Sequence, residues 1–191
     1  MRKSFYTMFA LFFILLAGAC TTAEVLPTAT VQPSATPPTA WQFTHPENLY
    51  TLNYPIGWSH EVMVRDGVTM EVIFTSPDYQ MSEGYPVLEQ GAEFMIFRDP
   101  LPEGVTSVEE YLNSNDLLHE LAQNLTTLQV AGYPALQFDY SYEGVNAAMT
   151  IFVVNGELYN IRYRYVDQAV RGDYWDEYQI LLESFTVLNI E

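Results

Sequence analysis

The chain has 191 residues, 49% of them hydrophobic and 15% aromatic, with 24 acidic side chains against seven basic ones and a formal charge of −17. Such acidity repels polyanions and excludes nucleic acid as a partner. One cysteine, Cys20, excludes an internal disulfide, so the fold must rest on its own packing.

The N-terminus has three zones. Arg2 and Lys3 form a positive flank, Phe5 to Leu16 an apolar stretch, and Ala17-Gly18-Ala19 a small-residue site ahead of Cys20, the layout of an export segment. The uncharged run from Ser4 to Cys20 is 17 residues, the short edge of a bilayer span, so a retained transmembrane anchor is the weaker reading. Ala17-x-Ala19 also fits ordinary secretory cleavage, which would leave a lone exposed thiol. The segment resembles a bacterial lipoprotein signal, whose final cysteine is acylated and becomes the new N-terminus. Ala17 departs from the leucine more usual at the first position of that motif. On this resemblance residues 1–19 are a signal peptide and Cys20 is the lipid attachment site. The rest of the chain then sits at the membrane or envelope surface, facing the extracytoplasmic side. Several acyl chains, at about 0.8 kcal/mol per buried CH2, would make the anchorage effectively permanent.

Residues 20–40 read as the acylated cysteine and a linker. From Thr21 to Ala40 the chain is almost wholly Thr, Ala, Pro and Ser, with little to bury. At about 3.1 Å per residue such a chain spans roughly 60 Å. Residues 41–191 are about the size of one domain.

From Trp41 onward, period-2 patterns begin. Asn48 to Tyr54, Trp58 to Arg65 and Val68 to Thr75 read as strands, the last two joined by an Asp66-Gly67 turn. Ser76 to Gln90 reads as a long loop and Ala92 to Arg98 as a fourth strand. Ser107 with Glu110 makes a capping box that opens a helix. Its buried stripe is Val108, Tyr111, Leu112, Leu118, Leu121, Ala122 and Leu125. In Ala135 to Glu143, Leu136, Phe138, Tyr140 and Tyr142 alternate with Gln137, Asp139, Ser141 and Glu143, predicting one packed and one wet face. Ala147 to Val154 and Glu157 to Val166 flank Asn155-Gly156, a strong hairpin signal. Asp173 to Phe185 closes the chain as an amphipathic helix burying Tyr174, Trp175, Tyr178, Leu181, Leu182 and Phe185. This order argues an α+β fold with an antiparallel sheet.

Three short motifs carry a family resemblance. Tyr54-Pro55-Ile56-Gly57-Trp58 follows a short strand, Gly132-Tyr133-Pro134-Ala135 precedes a long one, and the last helix ends Glu183-Ser184-Phe185. Together they resemble the PsbP-like domains over nearly all of Trp41 to Ile190. The resemblance implies an antiparallel β-sheet covered by α-helices, an α/β/α sandwich. It also implies an accessory or binding role in preference to catalysis, and transfers no site residue. From physics alone, Pro55, Gly57, Gly132 and Pro134 shape turns, and Trp58 plugs one end of the core.

No nucleophile-elbow, zinc-protease, phosphate-loop, dinucleotide or calcium-loop motif occurs, so no catalytic residue, metal ligand or cofactor is expected. His45, His60 and His119 fall in different elements and read as solvated or hydrogen-bonded histidines. The pairs Glu109-Glu110 and Asp176-Glu177 sit in first helical turns, where the helix dipole favours them. The scattered acids read as solubility or adaptation to a saline medium ahead of cation capture. Tyr140, Tyr142, Tyr159, Tyr163 and Tyr165 lie on neighbouring strands, either as an exposed contact face or, the favoured reading, packed as core. In Glu157 to Val166, Asn160, Arg162 and Arg164 share the opposite face. The two arginines either pair across the sheet with Asp139 or Glu143 or await a ligand carboxylate. The expectation is a lipid-anchored extracytoplasmic accessory domain that binds a protein or small molecule of the envelope and has no catalytic activity. The alternative is an extracytoplasmic hydrolase acting on envelope or environmental polymers.

Overall fold

The computed structural model describes residues 40–84, 87–166 and 172–188. The chain divides after residue 36, and every described residue belongs to the unit that runs from Pro37 to Glu191. In order the elements are β1 (Ala40–Thr44), β2 (Tyr50–Pro55), β3 (Ser59–Arg65), β4 (Val68–Thr75), β5 (Gln80–Met81), β6 (Leu88–Gln90) and β7 (Glu93–Pro100). There follow α1 (Val108–Ser114), α2 (Asp116–Leu121), β8 (Gln123–Val130), β9 (Tyr133–Tyr142), β10 (Val145–Val154), β11 (Glu157–Tyr165), α3 (Trp175–Ser184) and β12 (Thr186–Val187).

Seven strands form the main sheet in the order β3-β4-β7-β11-β10-β9-β8, and β1-β2-β12 form a smaller one. Every pairing is antiparallel. The two hairpin turns read from sequence are present. Asp66-Gly67 and Asn155-Gly156 both place two consecutive residues at positive φ, which a type I′ turn requires. The segment expected to be an unstructured loop instead contains the short β5–β6 hairpin.

The α/β/α sandwich is not formed. The domain is predominantly antiparallel β-sheet, and the three helices among the described residues are too short to cover it. The main reason lies between Ser107 and Val130. Ser107 caps α1, its Oγ accepting from the Glu110 amide at 3.1 Å. The Glu110 carboxylate reaches back in turn, accepting most closely from the Thr106 amide and hydroxyl at 2.7 and 2.8 Å, with the Ser107 amide also lowering its pKa. Asn115 then leaves helical φ/ψ, ends α1, and caps α2 by accepting from the Leu118 amide at 3.0 Å. The helical stripe continues through Leu118 and ends after α2: Leu125 is exposed on β8, where β-branched Thr126 and Thr127 favour extended backbone.

The faces of the main sheet are covered by different things. On one, Val72, Phe74, Phe94, Ile96, Ile161, Tyr163 and Phe152 pack under the small sheet and α3. Tyr178 of α3 donates to the Ile161 carbonyl at 3.0 Å and its hydroxyl lies 2.7 Å from Thr150 Oγ1, to which Gln137 Nε2 donates at 3.0 Å. The face of β9 expected to be wet is therefore buried, Gln137 and Asp139 included. On the other face, Val108 and Leu112 pack on Leu136, Phe138, Met149, Ile151 and Leu158.

His45 ties the β1–β2 connection to this core. It is buried, packs on Tyr50 with ring centroids 4.8 Å apart, and its Nδ1 accepts from the Glu47 amide at 3.2 Å. Burial depresses its pKa, with Arg98 reinforcing and Glu47 opposing the shift. The folded state thus prefers neutral His45. That contribution is complete above the unfolded value of about 6.5 and is lost as pH falls through it. Urea denaturation at pH 7 and pH 5 should show His45→Gln losing less stability on acidification than the native chain. Equal losses would show that His45 does not titrate on unfolding.

Candidate functional site

Antiparallel register places three rows of side chains on the half of the second face that α1 and α2 leave bare. Row one is Met63, Glu71, Phe97 and Asn160; row two is Glu61, Ile73, Met95 and Arg162; row three is Ser59, Thr75, Glu93 and Arg164, whose last two are buried against Tyr79 and Met81. The helices pack on β9 and β10, and the apolar cluster beneath them takes no residue from β3, β4 or β7.

This bare half holds an apolar hollow of about 400 Å³ at the β3–β4 hairpin end. Its walls are Met63, Val64, Met70 and Phe97, and its polar rim is Arg65, Glu71 and Asp99. Met63, Val64, Val68 and Met70 are all strongly exposed, at 42–59%, an apolar patch at a hairpin tip in a chain otherwise rich in acids. The β-bulge between Met63 and Val64 produces this local arrangement by twisting the hairpin out of regular register.

Three polar atoms on the same surface are buried with no hydrogen-bond partner: Glu71 Oε1, Asn160 Oδ1 and Arg162 Nε. Burial raises the Glu71 pKa, with Glu93 adding to the shift and Arg162 and Arg164 opposing it. Burial likewise lowers that of Arg162. The Arg162 guanidinium lies over Phe97, 5.1 Å from the ring centroid. It also borders a second hollow of about 140 Å³ against Leu117, Leu118, Leu121, Tyr140 and Met149. Phe97 lines the first hollow and Arg162 the second, so the two hollows lie on either side of this contact.

The arginine partners proposed from sequence are not used. Arg164 Nη1 donates to Glu93 Oε1 at 2.7 Å, its neighbour on the adjacent strand. Asp139 lies opposite Ala148 and Arg164 opposite Ala147, so they occupy opposite faces and cannot meet; Asp139 accepts from Asn124 Nδ2 at 2.8 Å. Glu143 sits in the β9–β10 turn at φ 50°. The tyrosines also divide. Tyr159, Tyr163 and Tyr165 are core, while Tyr140 and Tyr142 lie on the other face, half-buried and exposed.

A further hollow of about 390 Å³ is bordered by Asp78, Glu89 and Asp173. Asp78 is already satisfied there, accepting from Ser76 Oγ at 2.7 Å and Tyr174 at 2.8 Å, which together hold its pKa down. It therefore offers a ligand less than the orphaned groups around Phe97. The histidines do not converge: His45 is core, His60 packs against Phe43, Tyr54 and Phe74, and His119 is exposed in the last turn of α2. Among the described residues no group of three His, Cys, Asp or Glu is placed to hold a metal ion. Cys20, read as the lipid attachment site, lies outside the described residues, as do the export segment and all of the linker before Ala40. Among the described residues no helix is long and apolar enough to cross a membrane.

No family model matches the chain, and no curated protein matches its sequence. Solved structures of similar fold do exist. A Bacteroides thetaiotaomicron structure gives a TM-score of 0.50 at 13% identity, covering 79% of this chain and 49% of its own, so the chain spans about half its length. The Saccharomyces cerevisiae Ran-binding protein Mog1p gives 0.50 at 10% identity, covering 78% of this chain and 96% of its own. A cyanobacterial PsbP from Synechocystis gives 0.48 at 14% identity, over 78% and 93% of the two chains. A PsbP is thus among the structural neighbours; identities this low speak to fold alone.

Proposed function

We propose that the chain is a lipid-anchored extracytoplasmic binding domain without catalytic activity of its own, engaging its ligand on the bare half of the main sheet. The observation that carries this reading is the exposed apolar hollow of Met63, Val64, Met70 and Phe97, with the unpartnered Glu71 Oε1 beside it. An open apolar surface with a few convergent polar groups suits contact with a partner. Methionine side chains adapt to irregular partner shapes. The PsbP-like resemblance supports the same class of role. The export segment, Cys20 and the Thr/Pro-rich linker support a tether that holds the domain away from the membrane.

Two measurements test it. Membrane fractionation should find the native chain in the lipid phase with an acylated N-terminal Cys20, and Cys20→Ala released; an unmodified thiol in the mature protein would sink the tether. Affinity capture from native envelope with the anchored protein should retain a partner that Met70→Asp and Phe97→Ser lose by tenfold or more, with circular dichroism unchanged. Turnover of a polysaccharide or peptide panel, abolished by Glu71→Gln, would instead establish the hydrolase.

A further inference from the structure

The two edges of the main sheet differ in a way the binding reading does not use. One edge strand, β3, carries His60, Glu61 and Arg65 along it, the charged side chains that guard a sheet edge against pairing. The other, β8, is exposed along Gln123 to Thr127 and carries none; its register shifts between Gln123 and Thr126, with Asn124 at φ 53°, and runs regularly from Thr126 to Val130. From Leu121 to Phe138 the chain contains no acidic or basic side chain, although 24 acids are spread through the molecule.

The register identifies which backbone groups β8 presents. Val130 and Tyr133 close a two-residue hairpin over Ala131-Gly132, both at positive φ. Such flanking residues exchange both hydrogen bonds, and pairs alternate from there. Leu128 with Ala135 and Thr126 with Gln137 are then the bonded pairs, while Gln129 with Pro134 and Thr127 with Leu136 are not. Pro134, which has no amide hydrogen, falls in a non-bonded position as this requires. Thr127 and Gln129 therefore aim both N–H and C=O at the open edge.

We propose that β8 is a self-association edge, on which two copies of this chain pair antiparallel so that Thr127 of one meets the partner's Gln129 and the main sheet continues across the dimer. The occupant follows from charge. Two copies of so acidic a chain repel over acid-bearing surfaces, and this uncharged edge is where they approach without opposing carboxylates. An antiparallel pair of identical strands also satisfies two-fold symmetry by construction. Exposed Leu125 lies in the same strand and adds apolar area. Because repulsion between the remaining surfaces opposes the contact, salt strengthens this dimer.

Sedimentation velocity and amide exchange by NMR on the full chain in detergent, over a concentration series, test this. Association should slow exchange of the Thr127 and Gln129 amides, leave β3 amides unchanged, and increase from low salt to about 0.15 M. Thr127→Glu and Gln129→Glu, both on exposed positions, should each weaken association about tenfold or more while thermal unfolding is unchanged. A monomer at every concentration, a dimer that survives both variants, or one that leaves these amides exchanging freely overturns the proposal. None of these outcomes depends on the hollow at the β3–β4 tip.

Discussion

Glu93→Ala is expected to destabilise the domain by about 3–5 kcal/mol, the cost of leaving a buried charge without its partner. Arg164 and Glu93 lie opposite one another on β11 and β7, with side chains 9% and 5% exposed and a 2.7 Å bond between them. The second carboxylate oxygen accepts from the Tyr79 hydroxyl at 2.7 Å. Burial, and then that bond, pushes the tyrosine pKa up to about 12. Arg164 Nη2 also rests 3.9 Å from Met81 Sδ, so this one carboxylate organises the contact between the β5–β6 region and the sheet. Removing Glu93 takes the carboxylate from the guanidinium and the phenol together. The double change Glu93→Leu with Arg164→Met should recover most of the loss, because an apolar pair of similar volume avoids the desolvation of both charges. Urea denaturation of the native chain and the two variants checks this. A loss below about 1 kcal/mol for the single change would place the pair with ordinary surface ion pairs.

Phe94→Ala should cost a similar amount, about 3–5 kcal/mol, for a different reason. The ring is fully buried and stacks on Trp58 at 4.4 Å, while Tyr163 meets it edge-on at 5.4 Å and Tyr178 at 5.7 Å. Its removal leaves a cavity bounded by three rigid rings held by different elements, which cannot collapse together. Met95, the next residue, faces the bare half of the sheet and is only half-buried, so Met95→Ala should cost well under half as much. Equilibrium unfolding followed by tryptophan fluorescence reports both, with Trp58 sensing the first directly. Equal losses at the two positions would contradict the assignment of faces.

Local chemistry made the hairpins legible. Asp66-Gly67 and Asn155-Gly156 supply positive φ at consecutive positions at little steric cost, so β3–β4 and β10–β11 could be read within a few residues. The closing helix was equally plain, since Tyr178, Leu181 and Leu182 recur at helical spacing and are buried. The stretch after Ser107 is helical as far as Leu121, but Leu125 continues the period into strand β8. What breaks the single helix in two is Asn115, whose side chain can cap a new helix as readily as it sits inside an old one. The small sheet was legible only in β2, whose alternation reads as a strand from Asn48 to Tyr54. β12 has two residues, and a strand that short has no period to detect.

The candidate site was half visible. In sequence Arg162 and Arg164 stand out as basic residues on one strand face, and Asp139 and Glu143 are the acids that pattern offers them. Met63, Met70, Glu71 and Phe97 were not connected to it, because they come from strands far apart in sequence that only the order β3-β4-β7-β11 makes neighbours. Exposed methionines near an Asp-Gly turn are the one signal that could have flagged the hollow.

By itself the sequence determined the acidity and the two tight hairpins, since each depends on composition or on neighbours a few residues away. Tertiary structure alone decided that the helices leave half a sheet face bare, that Arg164 pairs with Glu93 and Arg162 with a phenyl ring, and that β8 ends the sheet uncharged. These depend on strand order and register. A one-residue shift of register would turn every side chain of a strand to the opposite face, and no local pattern encodes which distant strand lies alongside.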